Sequence, residues 1–319
     1  MSEVIVVGGG AAGMMAAIAA ADCGHQVTII EKNEKIGKKL FITGKGRCNI
    51  TNDSDVENHL NHVISNPKFM YSAFYSFDSS RMIDFLEQEG LAVKTERSNR
   101  VFPQSDKSSD VLQTLQKALR RRNVTVRLHT KMTGLMIEDH ICKGVKVQSY
   151  HGALETLTAD DVILTTGGLA YPSTGSTGDG HRLLKQAGVA LEPCYPALVP
   201  VETVEEWPIR LQGLSLRNVS LRVERGSHKI YEEQGEMLFT HFGVSGPLVL
   251  SASSLLGRKG AKDCKLHIDL KPALSEEQLD ERLQRDFAAQ KNSMFKNSLG
   301  KLLPSKLIPV IVELSEITP

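Results

Sequence analysis

The sequence predicts an α/β protein, with a Rossmann-like domain built on a parallel sheet and a second domain that is β-rich and partly helical. Two observations predict this fold class. Residues 4–31 have the pattern of a strand, a glycine turn, a helix and a second strand, the order that builds parallel sheets. Beyond Pro193 the chain changes to short segments of alternating polarity, which are typical of antiparallel strands. We therefore predict a first domain over 1–192 and a second over 193–319.

The first strand leads into a glycine motif. Val4 to Val7 is a short apolar run of the kind found in parallel strands that are buried on both faces. The following residues have the G-x-G-x-x-G pattern and open a helix. Glycines at these positions allow a tight turn, close approach of the backbone to a pyrophosphate and close packing of the helix. The residues predicted to hold the pyrophosphate are Gly8, Gly10, Ala11, Ala12 and Gly13.

Glu31 stands at the end of the second predicted strand, 27–30. An acid at this position accepts hydrogen bonds from both hydroxyls of an adenosine ribose and repels a 2′-phosphate. The site is therefore predicted to bind FAD or NAD rather than NADP. The uncharged run 4–21 is long enough to suggest a membrane span, but the glycine turn divides it into a strand and a helix. We predict no membrane partner.

Charge and composition narrow the class of protein further. The 319 residues include 38 basic and 37 acidic side chains, for a formal net charge of +1, and this balance argues against a nucleic-acid partner. The five cysteines form no C-x-x-C pair, which fits a reducing compartment and indicates no metal site. Because no basic, apolar leader precedes the first strand, we expect a cytoplasmic protein.

A basic segment with several glycines, 33–53, follows Glu31. Its glycines favour a loop whose N–H groups approach a ligand closely, and its cations would face a pyrophosphate or a reduced flavin. A solvated surface loop is the alternative. Cys48 is either a redox-active thiol or a small buried residue without chemistry. Together with the adjacent lysine, the predicted cofactor contacts are Lys32, Lys39, Gly46, Arg47, Cys48 and Asn49.

A second glycine-rich segment follows a predicted buried strand at 162–165. Within the segment from Tyr171 to Gly188, a proline and several glycines up to Gly180 favour a tight loop, and Asp179 is predicted to cap a helix over 180–187. The predicted cofactor contacts here are Thr166, Gly167, Thr174, Gly178 and Asp179. No strong acid or base is evident, and for His181 a structural role is favoured over that of a base. The weak catalytic candidates are Cys48, Tyr171, His181 and His241.

Periodicity predicts the other elements. In the first domain we expect two helices between 67 and 89, a hairpin at 91–102, a helix at 111–122 capped by Ser109 and Asp110, and strands at 124–128, 134–138 and 144–149. In the second domain we expect a strand, a turn and a strand over 214–226, a helix from Pro247 to about 256, a strand at 265–270, and helices at 275–290 and about 302–314.

Six motifs, taken together, resemble a known family. They are VVGGGAAGMMAA, GKKLFITGKGRCNITN, VFPQS, TTGGLAYPSTGSTGDGHRL, PALVPV and GEMLFTHFGVSGP. In this order, and over nearly the whole chain, they resemble the bacterial FAD-dependent oxidoreductases that include aminoacetone oxidase-like and 3-dehydro-bile-acid reductase-like flavoproteins. The resemblance implies that the glycine unit of the first domain binds FAD, that the GRCN and TGSTGDG loops line the flavin, and that the second domain is an inserted substrate or cap domain that covers the site. It also implies hydride transfer through the flavin between a nicotinamide, NADH or NADPH, and a small or steroidal substrate.

The chain departs from this family in two places. Lys45 stands where the family commonly has a glycine, and the sequence ends at Pro319, where family members continue with a strand, a glycine turn and a helix facing the flavin. We therefore expect a fragment or a truncated form that binds FAD poorly or not at all. Two alternatives to an active flavoenzyme stay open, namely an inert dinucleotide-binding remnant and an NAD-only dehydrogenase. Substrate identity and oligomeric state are left open.

Overall fold

The computed structural model describes residues 1–291 and 293–317. The chain divides into two compact units, Met1–Glu192 and Pro193–Pro319. The assignment of the first unit to FAD and of the second to the substrate or to capping the site stays a prediction. Within the part of the chain described, no helix combines the length and the apolar character that a bilayer crossing requires.

The first unit contains helices and strands in alternation. Its strands are β1 (Glu3–Val7), β2 (Gln26–Ile30), β3 (Thr51–Asn52), β4 (Val93–Glu96), β5 (Arg100–Pro103), β6 (Thr125–Arg127), β7 (Thr130–Glu138), β8 (Ile141–Ser149), β9 (Leu154–Thr158) and β10 (Asp161–Leu164). Its helices are α1 (Ala11–Asp22), α2 (Lys38–Ile42), α3 (Val56–Asn61), α4 (Tyr71–Ser76), α5 (Ser79–Gln88), α6 (Ser108–Arg121) and α7 (Asp179–Gln186).

A parallel sheet in the order β10-β1-β2-β6 forms the centre of this unit. Alternate residues of β1 face opposite sides of the sheet, as the strand period requires. Val4 and Val6 pack with α1 and α6 in one core, whereas Ile5 and Val7 pack in another core with the antiparallel sheet β7-β8-β9. The predicted α/β class is confirmed, and both faces of β1 are buried as its apolar run predicted.

The structure corrects two helix starts in this unit. α6 begins at Ser108 rather than at 111, so Ser109 and Asp110 lie in its first turn; Lys107 is the residue before the helix and provides no side-chain cap. α7 begins at Asp179 after Gly178, a glycine with positive φ. Asp179 therefore does not cap the helix, because its carboxylate is bonded to Lys32 instead. β9 was not predicted, and it completes the antiparallel sheet β7-β8-β9.

The second unit is built on an antiparallel sheet in the order β11-β14-β13-β12-β15. The strands are β11 (Val201–Glu202), β12 (Ser215–Arg225), β13 (His228–Phe239), β14 (Gly243–Ser245) and β15 (Cys264–Asp269). The helices are α8 (Trp207–Arg210), α9 (Pro247–Leu255), α10 (Glu276–Ala288), α11 (Phe295–Ser298) and α12 (Ile308–Ser315). Its core is separate from those of the first unit and joins the sheet to α9 and to the segment that includes α12.

Two predictions for the second unit need correction. Residues 215–225 form one strand, β12, and its register against β13 shifts between Leu216 and Val219. Asn218 has φ +56° at this bulge, so the residue that suggested a turn bends a continuous strand instead. The last helix begins at Ile308 rather than near 302. The predicted helix from Pro247 and the strand near 265–270 are confirmed.

Candidate functional site

A cavity of about 420 Å³ opens at the carboxyl ends of β1, β2 and β10. Ligands of open parallel sheets characteristically bind at this edge. Every residue that lines the cavity belongs to the first unit. The predicted contacts that the structure brings together on its wall are Gly8, Gly10, Ala11, Ala12, Glu31, Lys32, Lys39, Thr166, Gly167, Thr174 and Asp179.

The glycine turn between β1 and α1 forms one wall of the cavity. A Cβ added to Gly10 would meet no atom of the described residues within 4 Å, so it would occupy the open space of the cavity. A Cβ added to Gly13 would lie 1.9 Å from the Gly8 carbonyl oxygen, because the helix packs there directly against the turn. Gly10 therefore leaves room for a ligand, whereas Gly13 leaves room for the backbone.

The amino end of α1 points toward this space. The first N–H groups of a helix have no partner within the helix and carry its positive dipole end. Ala11 and Ala12 contribute these groups at the cavity wall, and Gly10 precedes them without a side-chain cap. A pyrophosphate is the ligand group that such a turn accommodates.

Glu31 lies on the same wall and is only 8% exposed. Its Oε2 accepts a hydrogen bond from the backbone N–H of Gly9 at 2.8 Å. Its Oε1 accepts two, from the backbone N–H and the side-chain amide of Asn33, at 2.8 and 2.7 Å. The carboxylate is thus held by N–H donors at the end of β2 on the cavity wall, and its contact with an adenosine ribose stays a prediction.

Hydrogen bonds from Lys32 join the segment after β2 to the loop before α7. Lys32 donates to the Asp179 carboxylate at 2.6 Å and to Thr177 Oγ1 at 2.7 Å. Burial of the Asp179 carboxyl raises its pKa, but the hydrogen bonds and the charge of Lys32 outweigh burial and lower the pKa to about 2. Asp179 is therefore ionised at neutral pH, and its charge is balanced by Lys32.

Lys39, in α2, also donates hydrogen bonds to the segment that precedes α7. Its ammonium donates to Ser176 Oγ at 2.6 Å and to the Ala170 carbonyl at 2.8 Å. Both acceptors are neutral, so the charge of Lys39 remains available to an anionic ligand in the cavity that it lines.

The GRCN segment lies off the cavity wall. Arg47 bonds to Asp106 through Nε at 2.8 Å and to Glu96 at 2.5 Å, and its guanidinium stacks 4.1 Å from the centre of the Phe102 ring. These bonds raise the pKa of Arg47 and join the segment to the β4–β5 hairpin. The side-chain amide of Asn49, in its hydrogen-bonding orientation, donates to the Val101 carbonyl at 3.2 Å.

The weak catalytic candidates are dispersed. Cys48 is 1% exposed, and burial raises the pKa of its thiol, which disfavours the reactive thiolate. Tyr171 is exposed, His181 lies in the first turn of α7, and His241 belongs to the second unit. None of these four described residues lines the cavity, and neither do Gly13, Gly46, Arg47, Asn49 and Gly178. Their functional assignment stays a prediction.

Sequence reasoning missed several cavity residues. Thr130, Lys131 and Met132 reach the wall from the start of β7, and Asn33 reaches it beside Glu31. The predicted strand 134–138 lies within β7 but starts four residues after it, and only the three-dimensional order of the strands places the start of β7 at this edge. Asn33 had a usable signal, because a side-chain amide two residues after a functional acid can fold back onto it.

The fold and the cavity define a dinucleotide-binding protein of the Rossmann class. Residues 2–260 match the family described as HI0933-like protein Rossmann domain, and the chain belongs to this family. The predicted FAD cofactor and the flavin-dependent oxidoreductase class are thereby confirmed at the level of the family and its relatives.

Two curated relatives match nearly all of the chain. The 3-dehydro-bile acid delta(4,6)-reductase of Clostridium scindens is 32% identical, over 99% of this chain and 76% of that protein. The ribosomal RNA dihydrouridine synthase of Escherichia coli is 29% identical, over 99% of this chain and 74% of that protein. The chain thus spans about three quarters of the length of these relatives.

A solved structure shows a related fold. The 3-ketosteroid delta1-dehydrogenase from Sterolibacterium denitrificans, in complex with 1,4-androstadiene-3,17-dione, superposes with a TM-score of 0.50 and 17% identity. The match covers 68% of this chain and 62% of that chain, so this chain spans less than two thirds of its structural neighbour. At this identity the likeness concerns the fold alone.

Proposed function

We propose that this chain is an FAD-dependent reductase whose small organic substrate carries a carbon–carbon double bond conjugated with a carbonyl group. The observation that carries the proposal is the cavity at the carboxyl edge of the parallel sheet. Its wall includes the open space beside Gly10, the amino end of α1 and the Glu31 carboxylate. These features fit the pyrophosphate and the adenosine ribose of FAD.

The relatives suggest which bond reacts. One is a delta(4,6)-reductase of a 3-dehydro bile acid, and a substrate of that description has double bonds conjugated with its 3-keto group. Another is a dihydrouridine synthase, and dihydrouridine is uridine with the ring double bond next to a carbonyl reduced. Conjugation with a carbonyl makes the far carbon of a double bond electrophilic, so it accepts a hydride.

The residues of the chain would bind and orient the cofactor. The turn from Gly8 to Gly10 and the start of α1 would hold the pyrophosphate, Glu31 would accept a ribose hydroxyl, and Lys39 would face anionic oxygens. When bound, FAD would supply the two-electron chemistry between NADH or NADPH and the electrophilic carbon, and a proton from water would join the neighbouring carbon. In such flavin chemistry the protein contributes position and charge.

Absorbance spectroscopy tests the proposal. The chain should bind added FAD, the flavin bands should bleach anaerobically with NADH or NADPH, and they should return when a 3-keto-4,6-diene steroid is added. Protein that does not bind FAD would indicate the inert remnant. A gain in thermal stability with NAD alone would indicate the NAD-only dehydrogenase.

The same experiment discriminates between small and macromolecular substrates. A net charge of +1 supports a small molecule, because RNA binding depends strongly on basic charge. A uridine-containing ribosomal RNA fragment, added in place of the steroid, should leave the reduced flavin unchanged. Reoxidation by the RNA alone would transfer the proposal to the activity that the dihydrouridine synthases are named for.

A further inference from the structure

The Glu31 carboxylate has most of its acceptor positions occupied by N–H groups of the protein itself. Three N–H groups bond to it, one from Gly9 and two from Asn33. An ionised carboxylate offers about four acceptor positions in all. Both positions on Oε1 are thereby used by Asn33, and one position on Oε2 remains for a ligand hydroxyl.

The Asn33 side chain also bonds in a second direction. Its amide nitrogen donates to Glu31 Oε1 at 2.7 Å and to the Thr174 carbonyl at 3.2 Å. An amide nitrogen has two hydrogens, so each hydrogen has one acceptor. The amide thus links the predicted ribose acceptor to the loop that precedes α7, a loop that lines the same cavity.

The loop has a gap that receives this amide. Gly175 has φ +107°, and a Cβ built on it would lie 2.6 Å from the Asn33 amide nitrogen and 3.4 Å from Lys32 Cε. A residue with a side chain would displace the amide from its position. The Asn33 backbone is fixed as well, because its carbonyl accepts from the His129 N–H at 3.0 Å.

We infer that Asn33 is a positioning residue for the adenosine half of the coenzyme. It fixes Glu31 Oε1 so that Oε2 faces one ribose hydroxyl, and its bond to the Thr174 carbonyl keeps the amide in place for this role. This inference rests on the proposed function, because it assumes that FAD occupies the cavity. It assigns Glu31 one ribose hydroxyl instead of the two predicted from the sequence.

FAD titration of a double-mutant cycle tests this role, with flavin fluorescence as the readout. Asn33→Ala should bind FAD about tenfold more weakly than the wild type, because a hydrogen bond to a charged group is lost. In a Glu31→Ala background the same change should alter affinity by less than about twofold. Asn33→Asp keeps the shape but places an acceptor against Glu31, so its FAD affinity should fall further than that of Asn33→Ala.

A matched control separates positioning from folding. Gln148 also donates a side-chain hydrogen bond to a backbone carbonyl, that of Gly152 at 3.4 Å, and does not line the cavity. Gln148→Ala should leave FAD affinity unchanged. Wild-type protein that fails to bind FAD would overturn the proposed function and with it this inference. Wild-type affinity in Asn33→Ala, or an equal loss with and without Glu31, would overturn the positioning role alone.

Discussion

At the scale of single residues, two glycines of the first turn should respond differently to the same substitution. Gly10→Ala should fold normally, because the backbone at Gly10 is extended at φ −78° and ψ −175° and the added Cβ enters open space. FAD affinity should fall by at least about tenfold, since the methyl group occupies the space into which the pyrophosphate must fit. FAD titration and thermal unfolding measure the two effects separately.

Gly13→Ala provides the contrast. Its Cβ would lie 1.9 Å from the Gly8 carbonyl oxygen, so α1 must move away from the sheet, and the free energy of unfolding should fall by about 3 kcal/mol or more. Gly134→Ala in β7 is the control, because its Cβ meets only the Lys146 side chain, at 3.8 Å. If Gly10→Ala bound FAD like the wild type, the pyrophosphate would not lie at this turn.

The role of a residue could be predicted from the sequence where its neighbours along the chain determine that role. The glycine turn and Glu31 lie within one strand–helix–strand unit, and the spacing alone places them on the cavity wall. Arg47 was not predictable in this way. Its acceptors, Glu96 and Asp106, are 49 and 59 residues away, so no local pattern indicates that this cation is bonded to carboxylates rather than directed at the cavity.

At the scale of elements, the Lys32–Asp179 pair joins the end of β2 to the start of α7. The folded-state pKa of Asp179, about 2, lies below the ordinary value of 3.8. A lowered carboxyl pKa stabilises the fold fully above pH 4, and this stabilisation is lost as the pH falls from about 4 to about 2. The shift corresponds to at most about 2 kcal/mol.

Asp179→Asn should therefore lower the free energy of unfolding by about 1 to 2 kcal/mol at pH 7. The difference in unfolding free energy between variant and wild type should stay constant from pH 7 to 5 and become smaller below pH 4. Urea unfolding at each pH, without added FAD, measures this difference. Glu313→Gln, in the exposed pair with Arg210, should change stability less. A gap that persists undiminished at pH 3 would contradict the assigned pKa.

The β12 bulge yields a prediction for the second unit. Asn218 has φ +56° where the register against β13 shifts, a conformation that asparagine and glycine adopt more readily than β-branched residues do. Asn218→Val should cost about 1 to 2 kcal/mol of unfolding free energy, whereas Asn218→Gly should be nearly neutral. Urea unfolding compares them, and equal stability of the two variants would show that the bulge carries no such strain.

The same bulge shows why some elements could not be predicted. An asparagine between two alternating segments signals a turn, because turns and bulges both use left-handed residues. Only pairing with β13 and β15 shows that the strand continues. Likewise Asp179 looked like a helix cap, and its actual partner, Lys32, is 147 residues away. Contiguous patterns such as β1–α1–β2 were predicted correctly.

At the scale of the whole molecule, the cavity lies in the first unit, whereas the tryptophan whose fluorescence reports folding lies in the second. The cavity is lined by residues from Val7 to Asp179, all of which belong to the first unit. The single tryptophan of the chain, Trp207, lies in the second unit, where it packs on that unit's core and its ring centre is 5.9 Å from that of Phe239. Tryptophan fluorescence therefore reports the second unit alone.

FAD should stabilise the first unit selectively. At a free concentration of about one hundred times Kd, a ligand that binds only the folded state adds about 2.7 kcal/mol. In urea, release of bound flavin, followed by its fluorescence, should therefore have a midpoint that rises with FAD concentration, while the Trp207 transition shifts less. Gly10→Ala, which keeps the fold but weakens FAD binding by at least about tenfold, should reduce the shift to about half or less at the same FAD concentration. If the Trp207 midpoint rose as far as the flavin midpoint, FAD would not stabilise the first unit selectively.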